Sequence, residues 1–174
     1  MQAPYFDMTV PLLIKNVTNL KTILAKGVEH AHASGMSEVD FLAQTLAPDM
    51  FPLLKQIQIA TDNAKAIPAR LCGIDPIALP DTETTVAELQ SRMDVVLAHL
   101  STYTPEQFAD AGVRKVMMPY YPNQFILGKD YLVEFALPNF FFHETVAYAI
   151  IRMVGTTLGK GDYLGSLSMQ PISE

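Results

Sequence analysis

A chain of 174 residues with 49% hydrophobic and 17% charged residues carries enough apolar material for one packed core, and its composition is neither that of a disordered nor of a fibrous protein. Its net charge is −6 and its twelve Lys and Arg residues form no stripe that could neutralise phosphates, which excludes nucleic acid as an expected partner. Pro138, Asn139, His143 and Glu144 interrupt the apolar runs before they reach the roughly 20 residues a bilayer span needs. The first residues lack the basic flank of a secretory signal, and the single Cys72 has no partner for an intrachain disulfide, so a cytoplasmic protein without membrane contact is expected.

The first helix is predicted from Thr9, an N-cap candidate, with Pro11 in its first turn; Leu13, Val17, Leu20, Leu24 and Val28 recur at steps of three and four, and Gly35 ends it. Ser37 and Asp40 start a short helical piece. Asp49 is expected to begin the second long helix, whose stripe runs through Met50, Leu53, Leu54, Ile57, Ala64, Ile67 and Leu71. Pro68 is expected to kink or end it, and Gly73 closes it. The two prolines of IDPIALPDTETT mark a loop, after which Thr85 and Glu88 form a capping box for a third helix with Val86, Leu89, Met93, Val96, Leu97 and Leu100 on its core face. Thr104 and Pro105 open one further turn. From Val113 to Leu137 the chain turns β-branched and aromatic, with Pro119, Pro122 and Gly128 as breakers, which reads as a small β-hairpin or an extended excursion. A fourth long helix is expected from Pro138 and Asn139 to a stop at Gly155 or Gly159. Four amphipathic stripes without βαβ alternation predict an all-α four-helix bundle, with residues 1–174 as one domain and a long crossover between helices three and four.

His143 is the first chemical candidate. The segment HETVA places Ala147 where a zinc-protease helix needs its second histidine, so that motif is incomplete. His30, His32 and His99 sit near helix ends, and no histidine occurs between Ala33 and Ala98, so a metal set is thin and no metal is expected. A partly buried, hydrogen-bonded structural histidine is the plainer reading. On helix two, Asp49, Gln56 and Asn63 recur every seven residues beside Leu53, Ala60 and Ile67. They either form a boundary row that bonds water and loops, or face a small cleft together with His143 and Tyr148. Gln58 and Asp62 are expected on a solvated face, and Glu144 and Arg152 as a surface pair flanking Tyr148. Cys72 reads as a buried small hydrophobe rather than a nucleophile.

The blocks LAPDMFPLLKQIQIATDNAKAIPARLCGI and LPNFFFHETVAYAIIRMVGTTLGKGDYLG resemble the domain-of-unknown-function family numbered 1993, within the DinB-like (YfiT-like) four-helix superfamily. The resemblance implies an up-down-down-up bundle, often paired as a homodimer. It also implies kinship to metal-dependent enzymes, some of them thiol-dependent transferases or isomerases, that take one histidine from helix two and two from helix four. His143 matches the first histidine of helix four. Ala147 replaces the second, and helix two offers Asp49, Gln56 or Gln58 but no imidazole, so neither nickel nor zinc nor another cofactor is expected. Small-molecule binding in the inter-helix cleft is the expected function, with His143 and Tyr148 as catalytic candidates and Asp49, Gln56 and Asn63 as ligand-binding candidates. The alternatives are a metal- or thiol-dependent enzyme using His143 and a non-catalytic homodimeric scaffold.

Overall fold

The computed structural model describes residues 4–172. A short helix α1 (Pro4–Asp7) precedes the first long helix, α2 (Val10–Ala33); α3 (Glu38–Leu42) links it to α4 (Leu53–Cys72), and α5 (Val86–Leu100) follows. Strands β1 (Lys115–Val116) and β2 (Ile126–Leu127) pair antiparallel, and α6 (Gly128–Asp130), a π-helical stretch Tyr131–Ala136, α7 (Leu137–Met153) and α8 (Lys160–Leu164) complete the order.

The predicted stripes become the core. Leu13, Val17, Leu20 and Leu24 of α2, Leu53, Ile57, Ala64, Ile67 and Leu71 of α4, and Val86, Leu89, Met93, Val96 and Leu100 of α5 are all buried. Each fully buried Leu or Ile contributes about 1.5–3 kcal/mol of burial free energy, and this apolar face rather than helix propensity holds the bundle. Element α2 runs antiparallel to α5, since Lys21 meets Asp94 while Glu38 meets the Val86 amide. It runs parallel to α7, where His30 bonds the Val154 carbonyl and Gly27 lies against Ile151. The four long helices therefore run up, down, down and up, and the all-α bundle with a hairpin excursion is as the sequence predicts.

Two adjacent helices in the same direction need a return segment, and residues 73–85 run back along α4 to start α5. One buried arginine pins that return. The Arg92 side chain, 1% exposed, meets Asp62 at 2.6 Å, Glu83 at 3.0 Å and Asp81 at 3.1 Å, and donates to Thr61 Oγ1 and the Pro80 carbonyl. This corrects the reading of Gln58 as solvated: the return segment covers it, so it is 2% exposed and bonds Glu83, whereas Asp62 stays partly exposed, 38% at its side chain, and pairs with Arg92.

Local chemistry sets the ends. Ser37 accepts from the Asp40 amide, and Thr85 and Glu88 form the predicted capping box. Gly73 ends α4 at φ 72°, a left-handed conformation that costs a residue with a Cβ. Three expectations are corrected. Thr9 makes no capping bond and instead bonds the carbonyls of Tyr5 and Phe6, because α1 sits directly before it. Helix α4 begins at Leu53, after Pro52, and passes through Pro68 to Cys72. The fourth long helix begins at Gly128, ten residues before Pro138, because the wide turns of Tyr131–Ala136 lead directly into Leu137 and absorb the amide that Pro138 lacks. Gly128 is fixed at that start, since a Cβ there would lie 1.8 Å from the Ala111 carbonyl oxygen.

Glu144 is also corrected. It is fully buried with neither carboxyl oxygen bonded, and Arg152 donates to the Leu158 carbonyl instead of pairing with it. The nearby Tyr163 hydroxyl is bonded to Thr145 Oγ1. Burial raises the Glu144 carboxyl from the ordinary 4.5 to about 7. The folded chain then holds a proton that the unfolded chain releases, so stability falls as pH rises from 4.5 towards 7. Urea unfolding across pH 4–8 is expected to show this decline, about 3 kcal/mol in all, in the natural protein but not in Glu144→Gln. Parallel profiles would contradict it.

Candidate active-site cleft

A row of polar contacts lies between α4 and α7. Gln56, Asn63 and Arg70 recur every seven residues on α4, so all three face one direction. Opposite them, Tyr131, Asn139 and His143 sit at multiples of four on the antiparallel helix. The two rows meet as three rungs. His143 Nδ1 lies 2.7 Å from Gln56 Oε1, Asn139 Nδ2 donates to Asn63 Oδ1 at 3.0 Å, and Arg70 donates to the Tyr131 hydroxyl at 3.1 Å. The steps are unequal, seven and seven on one side, four and eight on the other, and the π-helical stretch between Tyr131 and Asn139 lies in the longer step.

The first rung fixes a protonation state. Gln56 is 1% exposed and its Nε2 donates to the Phe51 carbonyl at 3.0 Å, so its Oε1 is the atom turned to the imidazole. An amide oxygen only accepts, so His143 Nδ1 carries the proton and Nε2 keeps its lone pair. Partial burial holds the imidazole below its ordinary value, which leaves it neutral at pH 7. The exposed Phe142 ring meets it edge-on at 5.1 Å.

A cleft of about 730 Å³ opens along the ladder, a size suited to a small organic ligand. His143, Asn139 and Asn63 form its polar line; Phe51, Ile59 and Phe135 are apolar walls, and Tyr120 and Tyr121, from the loop between β1 and β2, also line it. Tyr121 and Phe135 also wall a neighbouring hollow of about 370 Å³ beside Met118 and Phe125. Lys55, Lys65 and Arg70 line the cleft as cations. Lys55 pairs with Asp81 and Lys65 with Asp62, both of which Arg92 also holds.

The structure thus brings Gln56, Asn63 and His143 together and leaves two candidates elsewhere. Asp49 is exposed in the segment before α4 and outside the cleft lining, because α4 starts four residues later. Tyr148 lies about 140° round α7 from His143 at 100° per residue, and stacks edge-on against Tyr163 at 5.7 Å. Arg70, Tyr131 and Asn139 were missed. The heptad of Gln56 and Asn63 continues to Arg70, and the four-residue spacing back from His143 through Asn139 and Phe135 reaches Tyr131, so both signals were in the sequence. Cys72 is half-buried, with burial pushing its thiol up to about 11, which makes it a poor nucleophile.

The donor set does not fit the metal chemistry implied by the superfamily. His143 Nδ1 is committed to Gln56, Ala147 is buried one turn on, an amide faces the imidazole from α4, and among the described residues no group of three or more His, Cys, Asp or Glu side chains is placed to hold a metal ion.

The four-helix bundle running up, down, down and up is a DinB-like fold. The sequence profile of the family "Domain of unknown function (DUF1993)" matches residues 5–164, and the chain belongs to that family. The crystal structure of a DinB family member protein from Shewanella denitrificans is similar at a TM-score of 0.91 and 36% identity, covering 96% of this chain and 95% of that one. No curated protein matches the chain. No described helix is long and apolar enough to cross a membrane.

Long-range ¹⁵N–¹H NMR of the imidazole is expected to show the Nδ1–H tautomer, titrating below 6.5. In Gln56→Leu the tautomer preference should relax towards a mixture; a predominant Nε2–H form in the natural protein would contradict the rung.

Proposed function

We propose that the α4–α7 cleft binds a small molecule, with His143 Nε2 as the acceptor for a proton-donating group of that molecule. The observation that carries this reading is the first rung. A glutamine that is itself anchored to the Phe51 carbonyl holds the imidazole in one tautomer and turns its basic nitrogen away from the protein partner. His143 has one bonded nitrogen and lines an open cleft. A neutral imidazole with a free Nε2 can accept a hydrogen bond at rest and take a proton from a bound acid or activated water, the first requirement of general-base chemistry. The aromatic walls supply burial for an apolar body, and Gln56 acts as the positioning residue.

Phenol and toluene test this directly, since they share an aromatic body and differ in the donor. Phenol is expected to shift the amide resonances of Ala66, Phe135, Asn139 and His143, and to bind several-fold tighter than toluene. His143→Ala should remove that preference. Shifts mapping to another face of the bundle, or a phenol preference that survives His143→Ala, would overturn the reading.

A further inference from the structure

The ladder is asymmetric along its length, and its unmatched valences occur in a fixed order. At one end His143 Nε2 offers a lone pair. In the middle, Asn63 is 9% exposed and its Oδ1 receives the Asn139 amide, so this rung is closed between the helices. At the other end stands Arg70. Of the three cations lining the cleft, Lys55 and Lys65 are each neutralised by an aspartate, whereas Arg70 has no carboxylate in salt-bridge range among the described residues and meets only the hydroxyl and ring of Tyr131. Its guanidinium keeps donors to spare, since one of its nitrogens serves the tyrosine and a guanidinium has five N–H groups.

An acceptor at one end of the cleft and an unpaired cation at the other call for a ligand with a protic donor at one end and an anion at the other. The fourteen residues from Gln56 to Arg70 set the ends about 21 Å apart along the helix, and the reach of the arginine side chain shortens the span to be bridged. A chain of about five residues, extended at roughly 3.4 Å each, covers it.

Taking the cleft as the binding site, we propose that its ligand is a linear monocarboxylate of short-peptide length, with its acid end on Arg70 and its protic end on His143. The carboxylate meets a cation held at the cleft wall, where a charge-assisted pair is stronger than in open solvent. Lys55 and Lys65 are already paired with aspartates, so Arg70 is the cation lining the cleft that is left for the acid.

Pentaalanine isolates these features, because its side chains add no charge. In NMR titrations of the natural protein it is expected to shift Arg70, Asn63 and His143, and to bind about tenfold tighter than pentaalanine with a C-terminal carboxamide. Dialanine, too short to reach both ends, should bind at least about tenfold more weakly than pentaalanine. Arg70→Met should abolish the acid-over-amide preference and Arg70→Lys should retain part of it, which separates loss of charge from loss of fold. Equal affinity for acid and amide, no binding of pentaalanine, or shifts away from the ladder would each overturn the proposed ligand class. A phenol preference that still depends on His143 would in that case leave the cleft itself standing as a binding site, while loss of both would remove the site as well.

Discussion

Polar side chains buried between two helices must find partners there, and α4 buries two amides on the face it turns to α7. Gln56 and Asn63 are 1% and 9% exposed, so the free energy of leaving them unpaired, about 1–3 kcal/mol each, favours one register between the helices. His143 and Asn139 supply the partners at 2.7 and 3.0 Å. Apolar stripes alone would tolerate small slides of one helix along the other, whereas a ladder with defined donors and acceptors does not. The register then determines where Phe51, Phe135 and the tyrosines of the hairpin loop stand, and the cleft follows from it.

Much of the bundle was legible in the sequence because its helices bury single stripes at the helical period. The Leu13-to-Leu24 and Val86-to-Leu100 stripes, the Thr85–Glu88 capping box and the glycine stops need no tertiary information. The Gln56–Asn63 heptad also pointed to the cleft face. The legibility ended where a distant segment changes the environment of a residue. Gln58 looks solvent-facing on an isolated helix and becomes interior only when residues 73–85 fold back over it, while Asp62 stays partly exposed and is held by Arg92. Pro138 and Asn139 look like a helix start, yet the π-helical stretch lets the helix enter from further upstream. Asp49 kept the heptad in sequence but lies outside the helix, so periodicity carried no weight there.

The interior divides its polar groups between two solutions. Arg92 is buried and bonded to three carboxylates, a neutralised centre that ties the return segment to the bundle. Glu144 lies on α7 beside His143 in sequence and faces the other way, buried and unbonded, so it keeps its proton up to about pH 7. A histidine-glutamate pair that reads as one metal-binding unit in sequence is thereby split across two sides of the same helix. His143 serves the cleft and Glu144 the core.

The central claim is that the Gln56–His143 rung is an energetic coupling across α4 and α7, and a double-mutant cycle measures it most directly. Unfolding free energies of Gln56→Ala, His143→Ala and the double variant should reveal a coupling of about 1 kcal/mol. Strictly additive losses would mean that the two side chains act independently, and that the cleft is set by something other than the ladder.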